Sequence, residues 1–182
     1  MDPVTQLDEL LPMLKQLVAG VDPAQLDAPT PCDNFALRGV LEHMITGATV
    51  FSPAFRGGAP GAPPAITDVL AQFPVAMDDL QDAIHSPGAL ETIIATPMGE
   101  VPGEVFMRFT VMDGLVHGYD ISTASDQSYN PSPELVAEAD GFTRQAITDD
   151  MRDGDTFAAA TEPPAGASPL VSLVAFTGRK VA

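Results

Sequence analysis

The sequence predicts an all-α fold, a helical bundle with at most one β-hairpin. Three observations predict it. Four long segments carry apolar residues at three- and four-residue spacing, the period of an amphipathic helix. Most of the eighteen prolines fall in the connections between those segments. Only one short stretch has the β-branched, turn-punctuated pattern of paired strands. With 182 residues and no internal repeat, residues 1–182 are expected to form one domain around one core.

The first helix is predicted from Val4 to Val18, where Leu7, Leu10, Leu11, Leu14, Leu17 and Val18 share a face. Pro12 is a possible kink, and Gly20 with Asp22-Pro23 ends the run. The second helix runs from Leu37 to about Phe51, with Asp33 or Asn34 as its cap. GGAPGAPP, residues 57–64, is a surface crossover. Thr67 then caps a third helix that buries Val69, Phe73, Met77, Leu80 and Ile84, with Pro74 inside it. Residues 90–106, LETIIATPMGEVPGEVF, read as a small hairpin around a Pro97-Met98-Gly99 turn. Helical spacing resumes from Gly103 to Ser122. Ser132-Pro133 starts a further helix that runs to about Met151, with Pro133 where a missing N–H costs least. The tail holds a second Pro/Gly/Ala break, TEPPAGASP, and a closing apolar piece, LVSLVAFTGR.

Eight basic residues against twenty-five acidic ones give a net charge of −17. That charge opposes binding to phosphate backbones and anionic membranes, so no nucleic-acid or membrane partner is expected. The N-terminus lacks a basic stretch followed by an apolar run, and no segment offers about 18 uninterrupted apolar residues. A single cysteine, Cys32, rules out an internal disulfide framework, and a cytoplasmic location follows. Acidic neighbours disfavour the Cys32 thiolate, which reads as structural.

On the fourth helix, Asp113 and His117 are four apart and share a face, with Asp120 one turn further on. Such a pair is either half of a divalent-metal site or an ordinary surface ion pair. A usable site needs a third ligand. His43 is the candidate, because it lies in an apolar helix with Gly39 and Gly47 one turn to either side. His85 sits at a predicted helix end, where it complements the terminus. Glu42 points about 100° away from His43 and reads as solvated. Asp120 either holds an imidazole by its second ring nitrogen or caps the end of its helix.

PTPCDNFALRGVLEHM, the Asp113-x-x-x-His117-Gly118-Tyr119-Asp120 run and the closing LVAFTGR together resemble a known set of motifs. In the same order, they are similar to those of actinobacterial proteins related to the mycothiol-dependent maleylpyruvate isomerase metal-binding domain, within the DinB-like superfamily. The likeness runs from Pro29 to Arg179. It implies a DinB-like four-helix bundle with a long crossover, here with one small hairpin and an extra C-terminal helix. It also implies a divalent metal, usually zinc, held by His43, Asp113 and His117. Phe35 and Tyr119 stand where the family usually has tryptophan, and Asp113 is one methylene shorter than the isomerase's glutamate. A chain ending near residue 182 leaves no room for the isomerase's additional domain.

Two neutral imidazoles and one carboxylate would leave zinc a vacant fourth position, the arrangement of a catalytic site. A thiol there would lose its proton. The resemblance implies mycothiol as that thiol, transferred through a zinc-bound thiolate to a small electrophile, whereas water in that position would give hydrolysis. Arg38 and Arg108 each lie five residues before a candidate ligand and so turn about 140° away, which leaves no clamp for an anion and favours a neutral electrophile. The alternative is a non-catalytic DinB-like module that binds a small molecule or forms a homodimer through a helix face.

Overall fold

The computed structural model describes residues 1–96, 99–152, 154 and 157–181. Among them are six α-helices and one hairpin: α1 Pro3–Ala19, α2 Leu37–Phe55, α3 Val69–Ile84, β1 Ile93–Thr96, β2 Gly99–Pro102, α4 Gly103–Ala124, α5 Pro133–Ala146 and α6 Pro169–Phe176. Helices α1 and α2 each pack against both α3 and α4, which closes a four-helix bundle, while α5 and α6 pack on each other and on the outer side of α4. α4 is therefore the central helix. Met107, Val111, Met112, Leu115, Val116 and Ile121 are all buried on it, pointing to neighbours on several sides. No described helix is long and apolar enough to cross a membrane.

The helix starts follow local chemistry. The Asp2 side chain accepts the Thr5 N–H at 3.0 Å to begin α1, Ser132 accepts Leu135 N–H at 3.2 Å to begin α5, and Ser168 does the same for α6. α1 continues through Pro12 without a break. Two expected caps are corrected. α3 is capped by Asp68, one residue after Thr67, because its carboxylate reaches both the Leu70 and Ala71 amides at 3.1 Å. α2 has no side-chain cap, and its cap position is Ala36. Its first amides instead donate to backbone carbonyls of the preceding segment, Leu37 N–H to Ala28 at 3.0 Å and Arg38 N–H to Leu26 at 2.8 Å. Asp33 is thereby free to pair with Lys180 at 2.7 Å, and Asn34 donates to Gly154.

Two helix ends also differ from expectation. α2 runs one turn beyond Phe51, to Phe55. α5 stops at Ala146, not near Met151, because Ile147 turns extended with ψ 109° and a separate short turn covers Asp149–Met151. The hairpin forms with Ile93 opposite Pro102 and Thr96 opposite Gly99. Pro97 and Met98, the expected turn residues, lie outside the described residues.

Candidate metal centre

α2 and α4 lie side by side and bring His43 against the Asp113–His117 face. His43 Nε2 lies 3.2 Å from Asp113 Oδ1, and His117 Nε2 lies 3.4 Å from the same oxygen. One ligand atom from each of the three residues falls within 4.8 Å of the other two. The imidazole rings are 4.9 Å apart, and Phe35 packs its ring 5.7 Å from His43. The neighbouring glycines have different roles. A Cβ at Gly39 would stand 2.9 Å from the Phe35 ring, so Gly39 seats that ring, whereas a Cβ at Gly47 would meet nothing within 4 Å.

Exposure is graded across the cluster. His43 and Asp113 are about two-fifths exposed, with side chains 42% and 40% accessible, while His117 is buried. Burial pushes the Asp113 carboxyl up, but the attraction of His117 and His43 outweighs it and holds the group well below the usual carboxylate range. For His117, burial pulls the imidazole down, yet Asp113 and then Asp120 raise it, to about 9. Without an ion the site is thus a carboxylate between two imidazoles, with His117 protonated at neutral pH.

Asp120 is fully buried and lies inside α4, not at its end, so it is no helix cap. Its Oδ2 accepts His117 Nδ1–H at 2.9 Å, which fixes the ring so that Nε2 faces Asp113. The same Oδ2 accepts a hydrogen bond from Arg179 Nη2 at 3.1 Å. In the sequence Arg179 is only the end of the closing LVAFTGR motif, with no role at the site. Arg38 and Arg108 do turn away, to Asp27 at 3.5 Å and Glu104 at 3.1 Å, but Arg179 arrives from beyond α6. α6 ends in a Schellman turn: Gly178, at φ +98°, donates to Ala175, and Arg179 N–H donates to Val174 at 3.1 Å. Thr161 Oγ1 donates to the Arg179 carbonyl. Arg144 and Arg152 lie over the Phe176 ring at 4.6 and 4.7 Å and anchor the helix end. The sequence signal was a Gly-Arg pair directly after an apolar helix.

The remaining candidates fall outside the cluster. His85 is the last residue of the α3 end and pairs with Asp8 at 2.8 Å. Glu42, expected to be solvated, is half-buried. Cys32 is half-buried and borders a cavity of about 390 Å³ that also exposes Asn34, His117 and Arg179. A second cavity of about 300 Å³ shares His43 and Asp113 with the first and runs among apolar side chains of α1–α4.

The family described as "Mycothiol maleylpyruvate isomerase N-terminal domain" matches residues 7–122, which include His43, Asp113, His117 and Asp120 but not Arg179. Two similar proteins of Mycobacterium tuberculosis, the uncharacterized protein MT0763 of strain CDC 1551 / Oshkosh and the uncharacterized protein Rv0738 of strain H37Rv, are each 31% identical over 183 residues. The alignment covers 100% of this chain and 100% of each relative. No solved structure matches. A family match over most of the chain, together with relatives aligned from end to end, means that the chain belongs to the mycothiol maleylpyruvate isomerase N-terminal domain family.

Proposed function

We propose that the chain is a single-domain, cytoplasmic, divalent-metal-dependent thiol transferase in which His43, Asp113 and His117 hold the ion. One observation carries the reading: the Nε2–Oδ1 separations of 3.2 and 3.4 Å. A tetrahedral zinc with bonds of about 2.0–2.1 Å to nitrogen and oxygen sets neighbouring ligand atoms about 3.3 Å apart. Two imidazoles and one carboxylate suit zinc and leave a fourth position open. A divalent ion held there favours thiolate over thiol, which is the chemistry a thiol cosubstrate needs.

The chain's own groups prepare that exchange. Asp120 holds the His117 Nδ1 proton, so that Nε2 is presented to the ion, and Arg179 balances the Asp120 charge. Asp113 would neutralise one charge of a bound divalent ion, leaving one charge that a thiolate could balance. The family's name makes mycothiol the natural thiol, and its sulfur would form the new bond to an electrophilic carbon of a small molecule.

The apolar cavity of about 300 Å³ beside the cluster also supports a second reading, a non-catalytic module that only binds a small molecule. A dimerisation module has less behind it: the large exposed hydrophobics among the described residues are Val75 and Ile93.

Metal analysis of the purified protein separates the readings. About one zinc per chain is expected, lost in His43→Ala and His117→Ala, with mycothiol consumed alongside neutral electrophiles by the loaded wild type alone. A wild type that takes up no metal and keeps its full stability in chelator would overturn the transferase reading. Metal retained without thiol consumption would favour the binding module.

A further inference from the structure

The electrophile's chemical class can be read from the cavity behind His43 and Asp113, an inference that rests on the thiol-transferase reading. A helical bundle normally packs its axis to crystal-like density. Here about 300 Å³ stays unfilled between α1, α2, α3 and α4, floored by Leu7, Leu10 and Leu14 and walled by Phe51, Phe106 and Phe109. Apart from His43 and Asp113 themselves, the only polar side chains bordering it among the described residues are the hydroxyls of Thr96 and Thr110. A charged or strongly polar body placed there would lose its hydration without compensation. An apolar protein cavity of about 150 Å³ holds one benzene, so twice that volume holds about twelve carbons.

Gly47 sits one turn beyond His43 on α2, borders the cavity, and a Cβ on it would meet nothing within 4 Å. A larger side chain there would take up part of the cavity volume. The second cavity, which shares His43 and Asp113 with the first and is also bordered by Asn34 and Arg179, carries more polar groups and stays available to a hydrophilic thiol. The two reactants would thus approach the same ion from cavities of different polarity.

We infer that the chain takes electrophiles with an uncharged, apolar body of up to about twelve carbons, held in the α1–α4 cavity with the reactive carbon at the His43–Asp113 end, and that Gly47 sets the length accepted. The test uses zinc-loaded protein, mycothiol and straight-chain 1,2-epoxides of four to sixteen carbons. In that reaction sulfur bonds to the terminal carbon, the C–O bond opens, and the oxygen takes up the proton given by the thiol, so no other reactant is needed. In parallel, the 1-alkanols of the same lengths are titrated by calorimetry, which reads the cavity without any chemistry. Both kcat/KM and alkanol affinity are expected to rise by up to about fourfold per methylene and to level off near twelve carbons. Gly47→Leu is expected to lower that limit by about four carbons at unchanged zinc stoichiometry. Alkanols bound with this length profile while every epoxide stays unreacted would uphold the cavity and overturn the transferase reading. Mycothiol consumed with no dependence on chain length, alkanols left unbound, or a limit unmoved in Gly47→Leu would overturn the cavity inference alone.

Discussion

Arg179 donates to Asp120 Oδ2 across 3.1 Å although the two residues are 59 positions apart in the chain. Asp120 is fully buried and Arg179 nearly so, with a side chain 12% exposed. Without Arg179 the buried Asp120 Oδ2 keeps only the His117 Nδ1–H, and a buried carboxylate short of one partner is costly. Arg179→Ala should therefore lower stability by about 3 kcal/mol, measured by urea denaturation. It should also weaken zinc binding by about ten- to a hundredfold, the usual effect of disturbing the group that orients a ligand histidine. Arg179→Lys should recover part of the stability but less of the affinity, since the planar two-nitrogen grip is lost. Stability lost with zinc affinity intact would leave Arg179 a purely structural residue.

The pH dependence of metal loading follows from His117. Its metal-free pKa is raised to about 9, so at pH 8 the ring is protonated and must release that proton before Nε2 can bind an ion. Apparent zinc affinity should rise about tenfold or more per pH unit up to about pH 9, and calorimetry in buffers of different ionisation enthalpy should count about one proton from this ring. The Asp113 carboxyl is held below its ordinary range and does not compete for protons in that window. In metal-free protein the signs are opposite for the two groups. Stability from the raised His117 is fully present below the ordinary imidazole value of 6.5 and is lost as pH climbs through about 9. Stability from the depressed Asp113 is present above 3.8 and is lost as pH falls through its lower folded value.

The bundle helices and the Asp113–His117 pair were legible in the sequence because their signals are local or periodic, whereas His43, 70 residues from Asp113, was reached through its apolar helix and the family resemblance. Leu7, Leu10, Leu11 and Leu14 announce a helix face by spacing alone, and Asp113 with His117 form a pair by being one turn apart. What stayed hidden was tertiary. The first amides of α2 are taken by the carbonyls of Leu26 and Ala28, a backbone contact with no side-chain signature. α5 seemed to continue because Ile147 and Met151 keep helical spacing, yet the chain turns extended at Ile147. The cavity was hidden for the same reason, since the leucines and phenylalanines that border it read as ordinary core. Arg179 was hidden because its partner depends on a turn whose direction only the fold reveals.

That turn is itself testable. Gly178 holds φ +98°, a conformation that costs other residues about 1–2 kcal/mol, and a Cβ there would lie 2.7 Å from the Ala158 Cβ. Gly178→Ala should destabilise the protein by at least that amount and swing Arg179 away from Asp120. Zinc affinity should fall alongside stability, as in Arg179→Ala, although no charged group has been removed. In the double variant, Arg179→Ala should add little further loss of affinity to Gly178→Ala, because both act by freeing the same carboxylate. Additive losses would mean that the turn and the arginine act separately.

Asp113→Asn probes the centre of the cluster. The amide keeps the shape of the carboxyl and removes its charge, which is both the attraction that raises His117 most and the anionic ligand of the proposed site. With Asp113 neutral, burial still pulls the His117 imidazole down and only Asp120 opposes it. His117 should then titrate well below 9 in metal-free protein, followed by NMR of the ring protons. Because less proton competition remains, the pH dependence of zinc binding should flatten above the new value. Overall affinity at pH 8 should still drop by about a hundredfold or more, since a neutral amide oxygen is a poor replacement for a carboxylate at zinc. A His117 titration that stays near 9 in this variant would show that Asp120, and not Asp113, sustains its raised pKa.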